Sequence, residues 1–165
     1  MGSSMTDLYA HLPSPTLREA DPARGCRRQA GRKALITAAA RGIGVATAVR
    51  LAAEGAEVWI TDRDAAALEA ADVVASAGGW QLHTHAMDSS DADDTAQTLA
   101  RLLHDSGGFD ILVNNAGGSL HTPSRFLDED EGHWQRVMDL NLMGAVRASR
   151  AVLPGMVQRG FGRIV

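Results

Sequence analysis

Short apolar runs alternate with longer amphipathic segments from Lys33 to Val165, and small or acidic residues separate them. The runs predict strands at 34–36, 57–61, 80–87, 111–113 and 162–165. The segments between them predict helices at 42–54, 64–77, 90–104 and 131–158. Because strands and helices that alternate in this way form parallel sheets with right-handed crossovers, the pattern predicts an α/β domain.

Two of the predicted helices carry apolar residues at helical spacing. The first ends at Gly55, and its apolar positions are Ile43, Ala46, Val49, Leu51 and Ala52. The last is one long helix, Glu131–Gln158, with Trp134, Val137, Met138, Leu142, Ala145, Val146, Ser149 and Val152 in the series. Asn141 lies in its middle, where an amide is a mediocre helix former. It occupies either an exposed, indifferent position or one where its side chain is needed.

The stretch Lys33–Gly44 joins the first strand to the first helix through a turn of small residues. The first N–H groups of such a helix have no intrahelical partner, and together with the helix dipole they favour a phosphate. Small residues allow a pyrophosphate to approach the backbone. Gly42 and Gly44 fit that pattern, but Ala38 stands where a first glycine is expected. The turn alone fits either a dinucleotide site or an ordinary tight connection.

Asp62 follows the second strand, about 20 residues beyond the glycine turn, where an acidic residue accepts both ribose hydroxyls of an adenosine. Its carboxylate would repel a 2′-phosphate, which favours NAD over NADP. Arg41 and Arg63 favour the opposite choice, since either guanidinium could pair with that phosphate. Asp62 could also cap the helix that follows it.

Phe109–Gly118 is a second informative stretch, because a buried strand leads directly into Asn-Asn-Ala-Gly. Asparagine side chains can satisfy backbone groups where two strands diverge, and the small residues leave room for a flat ring. The alternative is a plain turn at the end of a strand.

His83 and His85 share one face of the third strand, as two metal ligands could. No cysteine, histidine or acidic residue follows at a spacing typical of a third ligand, so the pattern does not favour a metal site.

The composition argues against some classes of function. The net charge of −4 over 165 residues suggests no nucleic-acid or membrane surface, and no apolar run could span a bilayer. A single cysteine, Cys26, fits a reducing cytoplasm. Prolines and an arginine cluster indicate that residues 1–30 form a flexible extension before a domain at 31–165.

Residues Arg32–Val165 resemble the first two-thirds of a short-chain dehydrogenase/reductase. The resemblance rests on Thr37-Ala-Ala-Ala-Arg-Gly-Ile-Gly44, Asp62, Asp88, Asn114-Asn-Ala-Gly117, Asn141 and Gly162-Arg-Ile-Val165. It implies a Rossmann-type doubly wound parallel sheet, here incomplete, with about five strands in the order 3-2-1-4-5 and helices on both faces. It also implies hydride transfer between NAD(P) and a small alcohol or ketone, and an oligomer contact through Glu131–Gln158.

The same resemblance assigns cofactor roles to individual positions. They are the turn (Thr37, Ala38, Arg41, Gly42, Ile43 and Gly44), the ribose site (Asp62 and Arg63), the adenine site (Asp88 and Ser89) and the nicotinamide half (Asn115, Ala116 and Gly117). Ala38 departs from the family's glycine at its position.

The sequence departs further from the family in its catalytic residues. The family uses a serine and a Tyr-x-x-x-Lys pair, in which the lysine lowers a tyrosine pKa of about 10. The only tyrosine and lysine here, Tyr9 and Lys33, precede the glycine turn, and of the catalytic group only Asn141 is present. We therefore expect a fragment that is inactive alone. The alternatives are a non-catalytic nucleotide-binding or pairing module and a non-functional truncated gene product.

Overall fold

A computed structural model describes residues 27–120 and 125–165. Its strands are β1 (Lys33–Ile36), β2 (Glu57–Asp62), β3 (Leu82–Ala86), β4 (Ile111–Val113) and β5 (Arg163–Ile164). Its α-helices are α1 (Gly42–Ala53), α2 (Ala65–Ala77), α3 (Ala92–Ser106), α4 (Glu131–Met138) and α5 (Gly144–Arg159). No helix within these ranges is long and apolar enough to cross a membrane.

The five strands form one parallel sheet in the order β3-β2-β1-β4-β5. At its centre, Leu35 of β1 pairs with Trp59 of β2 and with Leu112 of β4. The α/β fold and the strand order predicted from the sequence are confirmed. Since all strands point the same way, their carboxyl ends meet along one edge of the sheet, where ligands of open α/β sheets bind.

Both faces of the sheet are covered, and alternate residues of β1 and β2 enter different cores. Ala34, Ile36, Val58 and Ile60 pack with residues of α1 and α2. Leu35 and Trp59 pack on the other face with residues of α3 and α5. Burial on both faces explains why these strands are continuously apolar instead of alternating with polar residues.

The apolar face predicted for α1 is wrong at its start. Ile43 is 81% exposed and Ala46 is also exposed, whereas Gly44 and Ala48 are buried. A β-carbon on Gly44 would lie 2.5 Å from the Cα of Ala39, so the helix packs too closely on the turn for a large side chain. The buried face of α1 is therefore the one whose side chains are small, and a pattern of hydrophobic residues contains no information on side-chain volume.

The long helix predicted over 131–158 is present but irregular, and part of its predicted apolar face is wrong. A π-helical segment, Asp139–Met143, separates α4 from α5. Trp134, Met138, Leu142 and Val146 of the predicted apolar series are exposed, whereas Val152 of that series is buried as predicted, together with Gly144, Ala148 and Met156. Gly144 lies so close to Ser89 that a β-carbon would be 2.8 Å from its carbonyl oxygen. At Gly144, as at Gly44, close packing requires a small residue.

Glu54, at the end of α1, joins this helix to the described part of the predicted extension. Its carboxylate lies 2.7 Å from Arg28 and 2.7 Å from Arg50, and its carbonyl accepts a hydrogen bond from the Gln29 N–H. Hydrogen bonds from Arg28, followed by those from Arg50, lower the pKa of Glu54 to about 2. The rest of the extension, residues 1–26 with Tyr9 and Cys26, lies outside the described residues.

Glu54→Gln is expected to lower stability in a pH-dependent way. A carboxyl whose pKa falls from 4.5 to about 2 on folding stabilises the protein above pH 4.5, and this stabilisation is lost as the pH falls toward 2. The difference in Tm between wild type and E54Q should therefore be largest at neutral pH and shrink in acid. Thermal unfolding at several pH values measures it, and a difference that stays constant from pH 7 to 2.5 would contradict the assignment.

Candidate functional site

A cleft of about 410 Å³ lies at the carboxyl ends of β1 to β4. It brings together seven of the residues that the sequence singled out: Ala38, Asp62, Arg63, Asp88, Ser89, Ala116 and Gly117. Leu120 and Leu140 also line it. Sequence reasoning missed these two leucines, because nothing about an isolated leucine in a loop or helix indicates that it faces a cleft.

The turn after β1 is held by the segment that follows β4. The Thr37 hydroxyl oxygen accepts hydrogen bonds from the Asn115 and Ala116 N–H groups, both at 3.1 Å. The Asn115 side-chain amide donates to the carbonyls of Thr37 at 3.1 Å and Ala38 at 2.8 Å. As predicted, an asparagine satisfies backbone groups where two strands diverge.

Ala38 has a φ of +50°, a left-handed conformation that normally favours glycine. A β-carbon in that conformation costs about 1 kcal/mol. The hydrogen bond from Asn115 to the Ala38 carbonyl holds it there. The alanine therefore holds a backbone conformation that glycine would adopt without this cost.

The N-terminus of α1 differs from those of the next three helices. Asp64 caps α2, Asp91 caps α3 and Asp130 caps α4, each accepting hydrogen bonds from N–H groups of the first turn. Arg41 precedes α1 and provides no side-chain cap. The first N–H groups of α1 thus lack a side-chain acceptor and, with the positive end of the helix dipole, are suited to an anion.

Asp62 ends β2 on the wall of the cleft. Its two carboxylate oxygens accept hydrogen bonds from the N–H groups of Ala40 at 3.2 Å and Asp64 at 3.1 Å. Asp64, not Asp62, caps the following helix, through a hydrogen bond from the Ala67 N–H at 3.0 Å. The Asp62 carboxylate is therefore fixed in direction, with lone pairs left to accept further hydrogen bonds.

A second carboxylate, Asp88, lies in the same cleft at the end of β3. The Ser90 hydroxyl donates to it at 2.6 Å and lowers its pKa, with smaller contributions from the Ser90 N–H and the nearby Arg63 charge. Arg63 is exposed and lines the cleft. Arg41 pairs with Asp64 at 2.7 Å and is not among the cleft residues.

Asn141 lies in the π-helical segment, and its side chain is needed there. The side-chain amide donates to the carbonyls of Gly118 and Val137, both at 2.8 Å, and its oxygen accepts from the Gly118 N–H at 2.9 Å. Gly117 leaves room for this bridge, since a β-carbon would lie 2.9 Å from the Asn141 oxygen. In this geometry Asn141 positions the loop after β4.

Other candidate groups lie elsewhere. The Lys33 ammonium donates to the carbonyl of Ser106, at the opposite end of the sheet from the cleft. His83 stacks on Trp59 with ring centroids 4.3 Å apart, and its imidazole lies 3.3 Å from the Glu57 carboxylate. Within the described ranges, no three histidine, cysteine or acidic side chains are grouped as metal ligands.

Known proteins match the chain over the region that forms this fold. The family model for short chain dehydrogenase matches residues 32–165. An uncharacterized oxidoreductase of Mycobacterium tuberculosis is 42% identical over 139 residues, which are 82% of this chain and 40% of that protein. A D-beta-hydroxybutyrate dehydrogenase of Cupriavidus necator is 37% identical over 139 residues, which are 82% of this chain and 52% of that enzyme.

Solved structures match over the same region. A metagenomic short-chain oxidoreductase in complex with NADP superposes with a TM-score of 0.77 and 33% identity, over 82% of this chain and 61% of that one. An NAD⁺-bound xylitol dehydrogenase gives a TM-score of 0.75 and 31% identity, over 83% and 52%. The chain thus spans about half the length of such relatives. The fold, the family model and these similarities together show that the chain belongs to the short-chain dehydrogenase family of oxidoreductases.

Proposed function

We propose that the cleft binds a nicotinamide dinucleotide, NAD in preference to NADP. The observation that carries the proposal is the uncapped N-terminus of α1, which follows a turn of small residues at the edge of the cleft. Such a terminus provides backbone donors for a pyrophosphate. The nucleotides bound by the two structural relatives support the same class of cofactor.

Each part of the cofactor has residues of matching chemistry. The turn, with Thr37, Ala38, Arg41, Gly42, Ile43 and Gly44, would hold the pyrophosphate. The Asp62 carboxylate would accept the adenosine ribose hydroxyls, with Arg63 beside it, and Asp88 and Ser89 would border the adenine. Asn115, Ala116 and Gly117 would lie near the nicotinamide half, where Asn141 positions the adjacent loop. A bound nicotinamide supplies the hydride donor or acceptor.

The geometry favours NAD at the ribose. Asp62 is fixed by two backbone N–H groups and would meet a 2′-phosphate with like charge. Of the two arginines that could offset this repulsion, Arg41 is paired with Asp64. Arg63 remains the one cation lining the described part of the cleft.

The reaction we propose for the whole protein is hydride transfer between this cofactor and an alcohol or ketone. The described cleft lining contains no tyrosine, lysine or histidine. The residues that line the described part of the cleft suit the binding of the cofactor, which is also what a non-catalytic nucleotide-binding module requires. An exposed apolar groove runs along the π-helical segment and α5 and is lined by Leu142, Val146, Leu153 and Val157; we propose it as the surface for the oligomer contact over 131–158.

Asp62→Asn tests the cofactor assignment. The change removes the charge that strengthens hydrogen bonds from the ribose and replaces one carboxylate oxygen by an NH2 group that cannot accept the Ala40 or Asp64 N–H, so NAD affinity should fall about tenfold. Calorimetric titration of the chain with NAD measures it. Glu69→Gln, an exposed position on α2, is the control and should leave affinity unchanged. Failure of the unaltered chain to bind NAD would refute the proposal, and unchanged binding by D62N would refute the role of Asp62.

A further inference from the structure

The side chain of Asp64 makes two different contacts with its two oxygens. One accepts the Ala67 N–H at 3.0 Å and so caps α2. The other lies 2.7 Å from a terminal nitrogen of Arg41. One carboxylate therefore ties the last side chain before α1 to the first turn of α2, across the cleft edge of the sheet.

The Arg41–Asp64 pair lies among other charged side chains at the proposed nucleotide site. Asp62 and Asp64 provide two carboxylates within three consecutive residues, and Arg63 lies between them. Arg41 is the only cation of the glycine turn. With Arg41 on Asp64, that cation is offset by a carboxylate belonging to the protein itself.

We propose that Asp64 is a specificity-determining residue for the dinucleotide: it withholds the Arg41 guanidinium from a 2′-phosphate and thereby favours NAD over NADP. The inference rests on the proposed cofactor function. Asp62 acts by direct repulsion at the ribose, whereas Asp64 acts through Arg41 by occupying the group that would otherwise attract the phosphate.

The pair is formed at neutral pH. The Ala67 N–H, and after it Arg41, lower the pKa of Asp64, so its carboxyl is ionised under ordinary conditions. The Arg41 side chain is 70% exposed and that of Asp64 is 38% exposed. Water and salt therefore screen the pair, and its contribution to selectivity should be several-fold and not orders of magnitude.

Asp64→Asn in the full chain isolates the effect. Asparagine caps a helix as well as aspartate does, so the substitution removes the charge and keeps the cap. We expect the ratio of NADP affinity to NAD affinity to rise about fivefold, at the upper end of what an exposed ion pair contributes. Asp72→Asn, on α2 and without a contact to Arg41, is the matched control and should leave the ratio unchanged.

The same exchange in an Arg41→Gln background separates release of Arg41 from loss of a negative charge. If Asp64 acts by holding Arg41, D64N should change the ratio less than twofold once the guanidinium is absent. An equal rise in both backgrounds would mean that Asp64 merely repels the phosphate, and would overturn the inference. An unchanged ratio in D64N alone would overturn it as well.

A measurement on the protein without a dinucleotide tests whether the ion pair between Arg41 and Asp64 forms. The pKa of Asp64, followed by NMR, should rise in R41Q, and an unchanged value would show that the pair does not form and overturn the inference. Failure of the wild-type chain to bind either dinucleotide would refute the proposed function together with this inference. If the wild-type chain binds NAD but the ratio of NADP affinity to NAD affinity does not change in D64N, only the inference about Asp64 is refuted.

Discussion

Gly44→Ala should destabilise the protein by about 3 kcal/mol and abolish dinucleotide binding. The added β-carbon would lie 2.5 Å from the Cα of Ala39, 2.8 Å from the Asn115 side-chain nitrogen and 3.0 Å from the Ala38 carbonyl oxygen. Two of these neighbours are backbone atoms, so no rotation of a side chain relieves the contact. Either α1 moves away from the turn or the hydrogen bonds from Asn115 are lost.

Gly42→Ala is the matched control in the same motif. Nothing lies within 4 Å of a β-carbon there, and only the φ of +55° penalises it. We expect a loss of about 1 kcal/mol from that conformation. Urea unfolding of both variants in the full chain measures the difference. Equal losses would show that steric contact at Gly44 does not decide the packing of α1.

Thr37→Val should destabilise the protein by about 2 kcal/mol, although the two side chains have nearly the same shape. Thr37 is 3% exposed, and its hydroxyl oxygen is the acceptor for the N–H groups of Asn115 and Ala116. Valine would remove this acceptor: the Asn115 N–H would keep the Val113 carbonyl as a partner, whereas the Ala116 N–H would lose its hydrogen bond, and an unsatisfied donor costs about 1–3 kcal/mol. Because the two donors begin the segment that borders the cleft, NAD affinity should fall in parallel.

Thr37→Ser separates the hydroxyl from the methyl group. Serine keeps the acceptor and removes one buried methyl, for which we expect a loss of about 1 kcal/mol. Chemical unfolding together with NAD titration of both variants provides the test. A serine variant as unstable as the valine variant would assign the role of Thr37 to packing and not to its hydrogen bonds.

Both predictions concern the connection between the turn after β1 and the segment after β4. Asn115 and Ala38, which share a 2.8 Å hydrogen bond, are 77 residues apart in the chain. The parallel pairing of β1 with β4 brings them together. The turn is therefore rigid before any ligand arrives, which reduces the conformational entropy lost on binding.

The sequence by itself determined the fold class, the approximate positions of the strands and helices, and the residues whose chemistry suits a dinucleotide. These features are local: an apolar run long enough for a buried strand, small residues in a turn, and an acid or asparagine directly after a strand. Asp62, Asp88 and Asn115 each stand at or just after the end of a strand, and because parallel strands end along the same edge of the sheet, the fold brings them together there.

Only the tertiary structure decided which side chains are partners and which helix faces are buried. The pairing of Arg41 with Asp64, the bridge from Asn141 to Gly118 and the burial of Gly44 and Gly144 all depend on how closely elements distant in sequence approach one another. Helical spacing of apolar residues measures hydrophobicity, whereas close packing at these contacts requires small volume. For that reason Ile43, Leu142 and Val146 are exposed, while the small residues Gly44, Gly144 and Ala148 on the same helical stretches are buried.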